Sequence, residues 1–287
     1  MTNPGVLLMQ ALSHLPLPAL RALGAGLGRV LFVLARKRRH VALTNLRLCF
    51  PQWSERQRTD VARRSFIGFA QSFLDRAWIW HAPDAVVRQR IRLTGAVDEL
   101  RKPGAAVVFA PHFYGMDAGG AAIMQQAVQR GSSIYSPQSR PAIDAWVRAG
   151  RERFGDVVLI NRQGGVKPVV KSLRAGRSLY LLPDMDLGRQ ESIFVPFFGV
   201  PTATAPALPR LARLGQARVV PAVTRMTPHG YEVEVHPAWP GYPSDDVTAD
   251  TALMNQRLEA WIRAMPEQYY WVHKRFKTRP AGQPSVY

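Results

Sequence analysis

The chain reads as an α/β protein: a mainly parallel mixed sheet flanked by helices, preceded by an N-terminal membrane-associated helical segment. Three observations predict this. From Ala105 onward, short apolar runs with strand character alternate with helix-like stretches. Before Ala105 the patterns are helical. Residues 5 to 35 are almost wholly apolar, with Arg21 and Arg29 the only charges, and the basic run Arg36 to His40 follows them. At 287 residues, 47% of them hydrophobic, the chain can bury a sizeable core. The expected division is a membrane-associated segment with its basic flank over 1–40 and a catalytic body over 41–287.

The elements follow in order. Pro16 and Pro18 interrupt the first apolar run, so two short apolar helices are expected rather than one clean span of about twenty residues. They would lie in or dip into the bilayer, with RKRRH at the headgroups. The positive charges follow the apolar core, the reverse of a secretory signal. If the segment spans, the positive-inside rule puts the C-terminal body in the cytoplasm. Ser54 and Gln57 are spaced as a capping box and open an amphipathic helix over 54 to 81, through Val61, Phe66, Phe69 and Phe73 to Trp78. Pro83 and Asp84 open another short helix. Strands are expected at AAVVFA, SSIYS, DVVLI, SLYLL and ARVVPAV, with helices over 116–129, 141–153 and 165–175 separating the first four. GYEVEVH, 230–236, alternates as an edge strand does. An amphipathic helix is expected over 247–265, and an irregular tail from Arg279.

Composition narrows the partners. Thirty-eight Lys and Arg against twenty Asp and Glu give +18, a field that favours anionic lipid, nucleic acid or an acidic protein. No RNA- or DNA-binding motif accompanies it, so nucleic acid is not expected. A single cysteine, Cys49 in the apolar run LRLCF, excludes an internal disulfide or cysteine cluster and reads as a buried structural thiol.

The candidate chemistry lies in FAPHFYGMDAGG, 109–120. His112 and Asp117 are five apart, which on one continuous helix leaves the side chains about 140° apart. They could meet if His112 sits on a turn after a strand and Asp117 in the first turn of the next helix. In an α/β sheet that is where ligands bind. Asp117 would then fix the tautomer of His112 and leave the other ring nitrogen free as a base. Gly115, Gly119 and Gly120 would let backbone or a long ligand come close. There is no GxSxG elbow and no HExxH helix, which argues against a common α/β serine hydrolase and a zincin.

FAPHFYGMD resembles the H-x4-D signature of the glycerolipid and lysophospholipid acyltransferase superfamily. NLRLCFP (45–51), LYLLPDMDLG (179–188), IFVPFFGVPTAT (193–204) and PEQYYWVHKRFKTRP (266–280) resemble one branch of it, the late acyltransferases of lipid A biosynthesis. The resemblance runs from about residue 5 to 282. Many members of the branch carry Glu where this chain has Asp117. The resemblance implies an acyl carrier protein-dependent O-acyltransferase at the cytoplasmic face of a Gram-negative inner membrane. Its partners would be acyl carrier protein, a Kdo-lipid A precursor and inner-membrane lipids. Asp117 would orient His112, and His112 would take the proton of a 3-hydroxyacyl group, which then attacks the thioester directly. No cofactor beyond the acyl carrier protein co-substrate and no metal is expected, although the DxD of Asp184 and Asp186 could in principle hold one.

Arg162, in INRQGG, is a candidate for stabilising the oxyanion or holding a substrate phosphate. Asp184 and Asp186 are candidates for positioning Arg162 or the sugar headgroup, and Gly115 for substrate approach. Lys274 and Arg275, with Lys277 and Arg279, form a basic cluster suited to lipid phosphates, Kdo carboxylates or the acidic carrier. FVPFFGVP, 194–201, is a candidate lining for an acyl-chain tunnel. The competing readings are an acyltransferase for a lysophospholipid or ornithine lipid, and a non-catalytic basic protein that binds membrane or nucleic acid.

Overall fold

The computed structural model describes residues 3–287. Four helices come first: α1 (Pro4–Leu12), α2 (Leu17–Leu34), α3 (Arg36–Cys49) and α4 (Glu55–His81). The break between α1 and α2 falls at the prolines, as expected, because Pro18 is tolerated only in the first turn of a helix. The capping box that opens α4 forms: the Gln57 amide donates to Ser54 Oγ at 3.2 Å, and the Ser54 amide donates to Gln57 Oε1 at 2.8 Å. RKRRH is the first turn of α3, a helix that runs across residue 40.

Next come α5 (Asp84–Arg90), β1 (Ile91–Gly95), α6 (Asp98–Arg101), β2 (Ala106–Phe109), α7 (Met116–Gln126), β3 (Arg130–Tyr135), α8 (Pro141–Arg151), β4 (Asp156–Asn161), α9 (Val166–Arg174) and β5 (Ser178–Leu181). A two-stranded hairpin, β6 (Ile193–Phe197) with β7 (Val200–Thr204), follows. The chain closes with α10 (Ala207–Gly215), β8 (Arg218–Thr227), β9 (Gly230–Val235) and α11 (Val247–Ala264).

Seven strands form one sheet in the order β1-β9-β8-β2-β5-β3-β4. The run from β8 to β4 is parallel throughout. β9 is antiparallel to β8, and β1 is parallel to β9. All four residues of β2 are buried, the signature of a central parallel strand covered on both faces. Val107 and Phe109 join one core with Leu179, Leu181 and Val219. Ala106 and Val108 join a second core with Val220 and Ala222. The sheet therefore divides two apolar layers, each roofed by helices.

The sequence expectation for 230–236 is corrected in one respect. Tyr231, Val233 and Val235 are buried and alternate with Glu232 and Glu234, but β9 is not an edge, because β1 pairs outside it. Ile91–Gly95 carries too few apolar residues to read as a strand alone. The Phe-rich segment 194–201 forms the β6–β7 hairpin, and Phe197 is fully buried in the core against Phe276 and Phe198.

The N-terminal helices are fastened to the body. Gly24 and Gly28 of α2 lie against α4, and a Cβ on Gly28 would come within 2.5 Å of the Ile67 Cα. Asp75, fully buried on α4, accepts from Arg21 at 3.0 Å, from Trp78 Nε1 at 3.0 Å and from the Tyr231 hydroxyl at 2.5 Å. Arg21, one of the two charges that punctuate the apolar run, is thus turned inward. Leu8, Leu23, Val30, Val33 and Leu34 are left exposed.

Removing one partner of such a buried pair strands the other, so Asp75→Ala is expected to destabilise by about 3–5 kcal/mol. Gly28→Ala is expected to cost about 1–3 kcal/mol by overpacking against backbone that has no rotamer to yield. Chemical denaturation of the two variants beside the parent checks both.

Candidate active site

β2 and β5 are neighbours in the parallel sheet, with Phe109 level with Leu181. His112 lies three residues past the end of β2 and Asp184 three past the end of β5. Equal overruns from paired strands bring them together. His112 Nδ1 is 2.7 Å from Asp184 Oδ1, and the His112 backbone N–H donates to Asp184 Oδ2 at 3.1 Å. The Tyr269 hydroxyl donates to the same oxygen at 3.0 Å.

Asp184 is fully buried, and burial alone would raise its pKa. The charge of a protonated His112, its ring and backbone donors, and Tyr269 outweigh that, and hold the carboxyl at about 2. An ionised carboxylate only accepts, so Nδ1 of neutral His112 carries the hydrogen and Nε2 keeps its lone pair. Among the described residues Nε2 has no hydrogen-bond partner, and His112 lines a cavity of about 730 Å³.

The expected contact between His112 and Asp117 is not made. Asp117 does sit in the first turn of α7, after a left-handed Gly115 at φ +92°. Its carboxylate turns to two arginines instead: Arg76 Nε donates to Oδ2 at 2.7 Å and Arg151 Nε to Oδ1 at 3.1 Å. Burial works against its ionisation, yet Arg76 and Arg151 bring its pKa below the usual value. Asp184 satisfies His112 Nδ1 because it is reached across the sheet, a neighbour that local spacing does not reveal.

The other expected site residues separate into two groups. Arg162, at the end of β4, lines the cavity and pairs with Glu191 at 3.2 Å. Both side chains are about half exposed, so the pair is worth about 0–1 kcal/mol and leaves the guanidinium available. Asp186 is buried and serves the chain itself, accepting from the Thr278 amide at 2.7 Å, the Thr278 hydroxyl at 2.9 Å and the Gly188 amide at 2.9 Å. Gly115 is pressed against Tyr231 and Thr224, with a Cβ 2.3 Å from the Tyr231 ring. What it lets approach is the sheet rather than a ligand.

Arg275 is corrected more strongly: it is 2% exposed, donates to the Ala203 carbonyl at 2.7 Å and to Thr204 Oγ1 at 2.9 Å, and stacks on Phe197. It holds the β6–β7 hairpin and offers no charge to a ligand. Lys274 is exposed. The segment 194–201 does not line the cavity, which is walled by Met116, Met124, Leu159, Leu182 and Leu211 among others.

The block 266–280 has a role that its charges conceal. The Tyr270 amide donates to the His112 carbonyl at 3.0 Å, the Tyr114 amide to the Gln268 carbonyl at 2.9 Å, and Phe113 bridges Tyr269. These residues are the backing of the His112 loop.

Residues 2–278 match the family described as bacterial lipid A biosynthesis acyltransferase. The chain belongs to that family. It is 32% identical to the lipid A biosynthesis acyltransferase of Haemophilus influenzae over 97% of this chain and 88% of that one. Identity is also 32% to the lauroyltransferase of lipid A biosynthesis in Escherichia coli, over 99% and 93%. The Escherichia coli myristoyltransferase gives 32% over 92% and 82%. The relatives' printed names cover different acyl chains.

A histidine behind the site, His273, has a shifted pKa. Burial, and then the charges of Arg275 and His112, push His273 down to about 4. Its Nε2 accepts the Asp186 amide at 3.0 Å, which needs the neutral ring. Because the folded pKa lies below the unfolded one, the unfolded chain binds more protons between pH 4 and 6.5. The contribution is complete above about pH 6.5 and is lost as the pH falls to about 4, a swing of about 3 kcal/mol. Thermal unfolding measured from pH 7 to 4.5 is expected to show that slope in the parent and a flatter one in His273→Gln.

Proposed function

We propose that this acyltransferase moves a fatty acyl chain from acyl carrier protein to the 3-hydroxyl of an acyl chain on a Kdo-lipid A precursor, at the cytoplasmic face of the bacterial inner membrane. One observation carries the reading: a histidine with Nδ1 committed to a buried carboxylate and Nε2 free, on the wall of a largely apolar cavity. Its volume, about 730 Å³, is within the roughly 300–1,000 Å³ typical of pockets that bury small ligands.

In this mechanism His112 Nε2 takes the proton of the lipid hydroxyl as its oxygen attacks the thioester carbonyl. A tetrahedral oxyanion forms and collapses. The C–S bond breaks, and the imidazolium returns its proton to the departing thiolate. Asp184 holds the ring and stabilises its charged form. Arg162 is the candidate for the oxyanion. Among the described residues no serine, threonine or cysteine is hydrogen-bonded to His112, and burial pushes the Cys49 thiol well above its ordinary value, so a direct transfer without an acyl-enzyme is favoured. No cofactor besides the carrier-bound donor enters these steps.

The exposed apolar side of α1 and α2, Leu7, Leu8, Leu23, Leu27, Val30 and Val33, supports membrane attachment, with Arg36, Lys37 and Arg38 exposed at its end. Lys274 and Lys277 are exposed and suit lipid phosphates, Kdo carboxylates or the acidic carrier.

The test is a mass-spectrometric transfer assay with detergent-solubilised protein, acyl carrier protein loaded with mixed chains, and tetra-acylated Kdo-lipid A precursor. One added acyl group is expected from the parent. His112→Ala is expected to lower the rate by about 10²–10⁴-fold, and Asp184→Asn to lower kcat more than it changes KM. Product formed undiminished by His112→Ala contradicts the mechanism.

A further inference from the structure

Asp117 lines the same cavity as His112 yet does not bond to it. What it organises is a pair of cations. Arg76 reaches it from α4 and Arg151 from the last residue of α8, each donating from Nε to a different carboxylate oxygen. An arginine that met the carboxylate as a fork would spend a terminal nitrogen as well. Here, among the described residues, all four terminal nitrogens of the two guanidiniums have no hydrogen-bond partner.

The guanidinium of Arg76 is further held between the rings of Phe73 and Trp80, 5.3 and 5.4 Å from their centroids. Arg151 is itself a wall residue of the cavity. The two arginine side chains are 24% and 29% exposed, and Asp117 only 9%. The triad therefore carries a net positive charge, keeps four terminal nitrogens unspent among the described residues on two partly exposed side chains, and has a buried carboxylate that fixes their spacing. Two fixed planar forks with free terminal N–H groups match the oxygens of a phosphate.

We propose that Asp117 is the hub of a phosphate clamp, fixing Arg76 and Arg151 so that their terminal nitrogens hold a phosphate group of one of the two substrates while His112 acts on the hydroxyl. This rests on the acyl-transfer reading above for its substrates, but not for the binding itself. The phosphate has two possible sources: the lipid acceptor, or the phosphopantetheine diester of the carrier-bound donor. Asp117 is then a positioning residue for binding, and its place five residues after His112 reflects the need to seat a substrate beside the base.

Arg76→Gln and Arg151→Gln test it, with Arg→Lys at each position as the conservative companion. Arg151→Gln is the milder variant, because Arg151 lies partly exposed at a helix end and Arg76 still pairs with Asp117 when it is replaced. In the first arm, inorganic phosphate is titrated against chloride at matched ionic strength and the unfolding temperature is followed. The parent is expected to gain stability with phosphate, and Arg151→Gln to lose that gain.

In the second arm, kinetics are measured with acceptor bearing or lacking its phosphates, and with acyl-phosphopantetheine or acyl-pantetheine as donor. Each Gln variant is expected to raise KM for one substrate by roughly 10- to 100-fold. kcat and its pH profile are expected to hold, Lys to restore part of the loss, and the penalty to vanish on the phosphate-free form of that substrate. The substrate axis that responds names the source. A fall in kcat with a shifted pH profile and unchanged KM overturns the clamp, because the triad then acts on His112. An equal penalty with and without phosphate, or no phosphate-specific stabilisation, overturns it too. If the parent transfers no acyl group at all, the proposed reaction fails while the phosphate titration still decides the clamp.

Discussion

The buried carboxylate of Asp184 is the constraint around which the catalytic end of the molecule is arranged. A charge with no exposure to water must be paired and hydrogen-bonded or it is too costly to keep. Asp184 obtains three donors: the ring and backbone of His112, and the Tyr269 hydroxyl. These come from the loop after β2 and from the C-terminal block, so satisfying one carboxylate fixes two distant segments against the end of β5. Tyr270 and Gln268 then stitch the same block to the His112 loop through backbone bonds. A base on a strand-end loop would otherwise be mobile. Here its tautomer, its ring position and its backbone are all set by groups that the core has already immobilised.

A second buried carboxylate does comparable work for the N-terminal helices. Asp75 ties α2 to α4 and to β9 through Arg21, Trp78 and Tyr231. The inward turn of Arg21 leaves the outward side of the first two helices free of that charge. The close seat of Gly24 and Gly28 on α4 keeps this apolar side rigid relative to the sheet. An apolar surface that is fixed in orientation can hold the cavity at a constant attitude to whatever it rests on.

Much of the fold was legible in the sequence, and the reasons are local. β2 to β5 announced themselves as short apolar runs between helical patterns, Ser54 and Gln57 marked the start of α4, and the prolines marked the break before α2. What escaped was decided by partners. β1 becomes a strand because β9 offers it an edge, and β9 is interior for the same reason. In the site, His112 was legible from its position after a strand, but its partner was not. Asp117 was the nearest carboxylate in sequence, whereas Asp184 is adjacent only because β5 lies beside β2 in the sheet. Arg275 looked like one of four surface cations, and burial against the β6–β7 hairpin separates it from the exposed Lys274 immediately before it, a distinction composition does not carry. Arg76 and Arg151 gave no signal at all, since each is one arginine among many until Asp117 joins them.

By its contact with Nδ1, Asp184 and not Asp117 sets the state of His112. Nitrogen-15 NMR of histidine-labelled protein near pH 8 reads this directly through the ring tautomer. The Nδ1–H form of His112 is expected in the parent and in Asp117→Asn, and its loss or mixture with the Nε2–H form in Asp184→Asn. A tautomer unchanged by Asp184→Asn but altered by Asp117→Asn would contradict it.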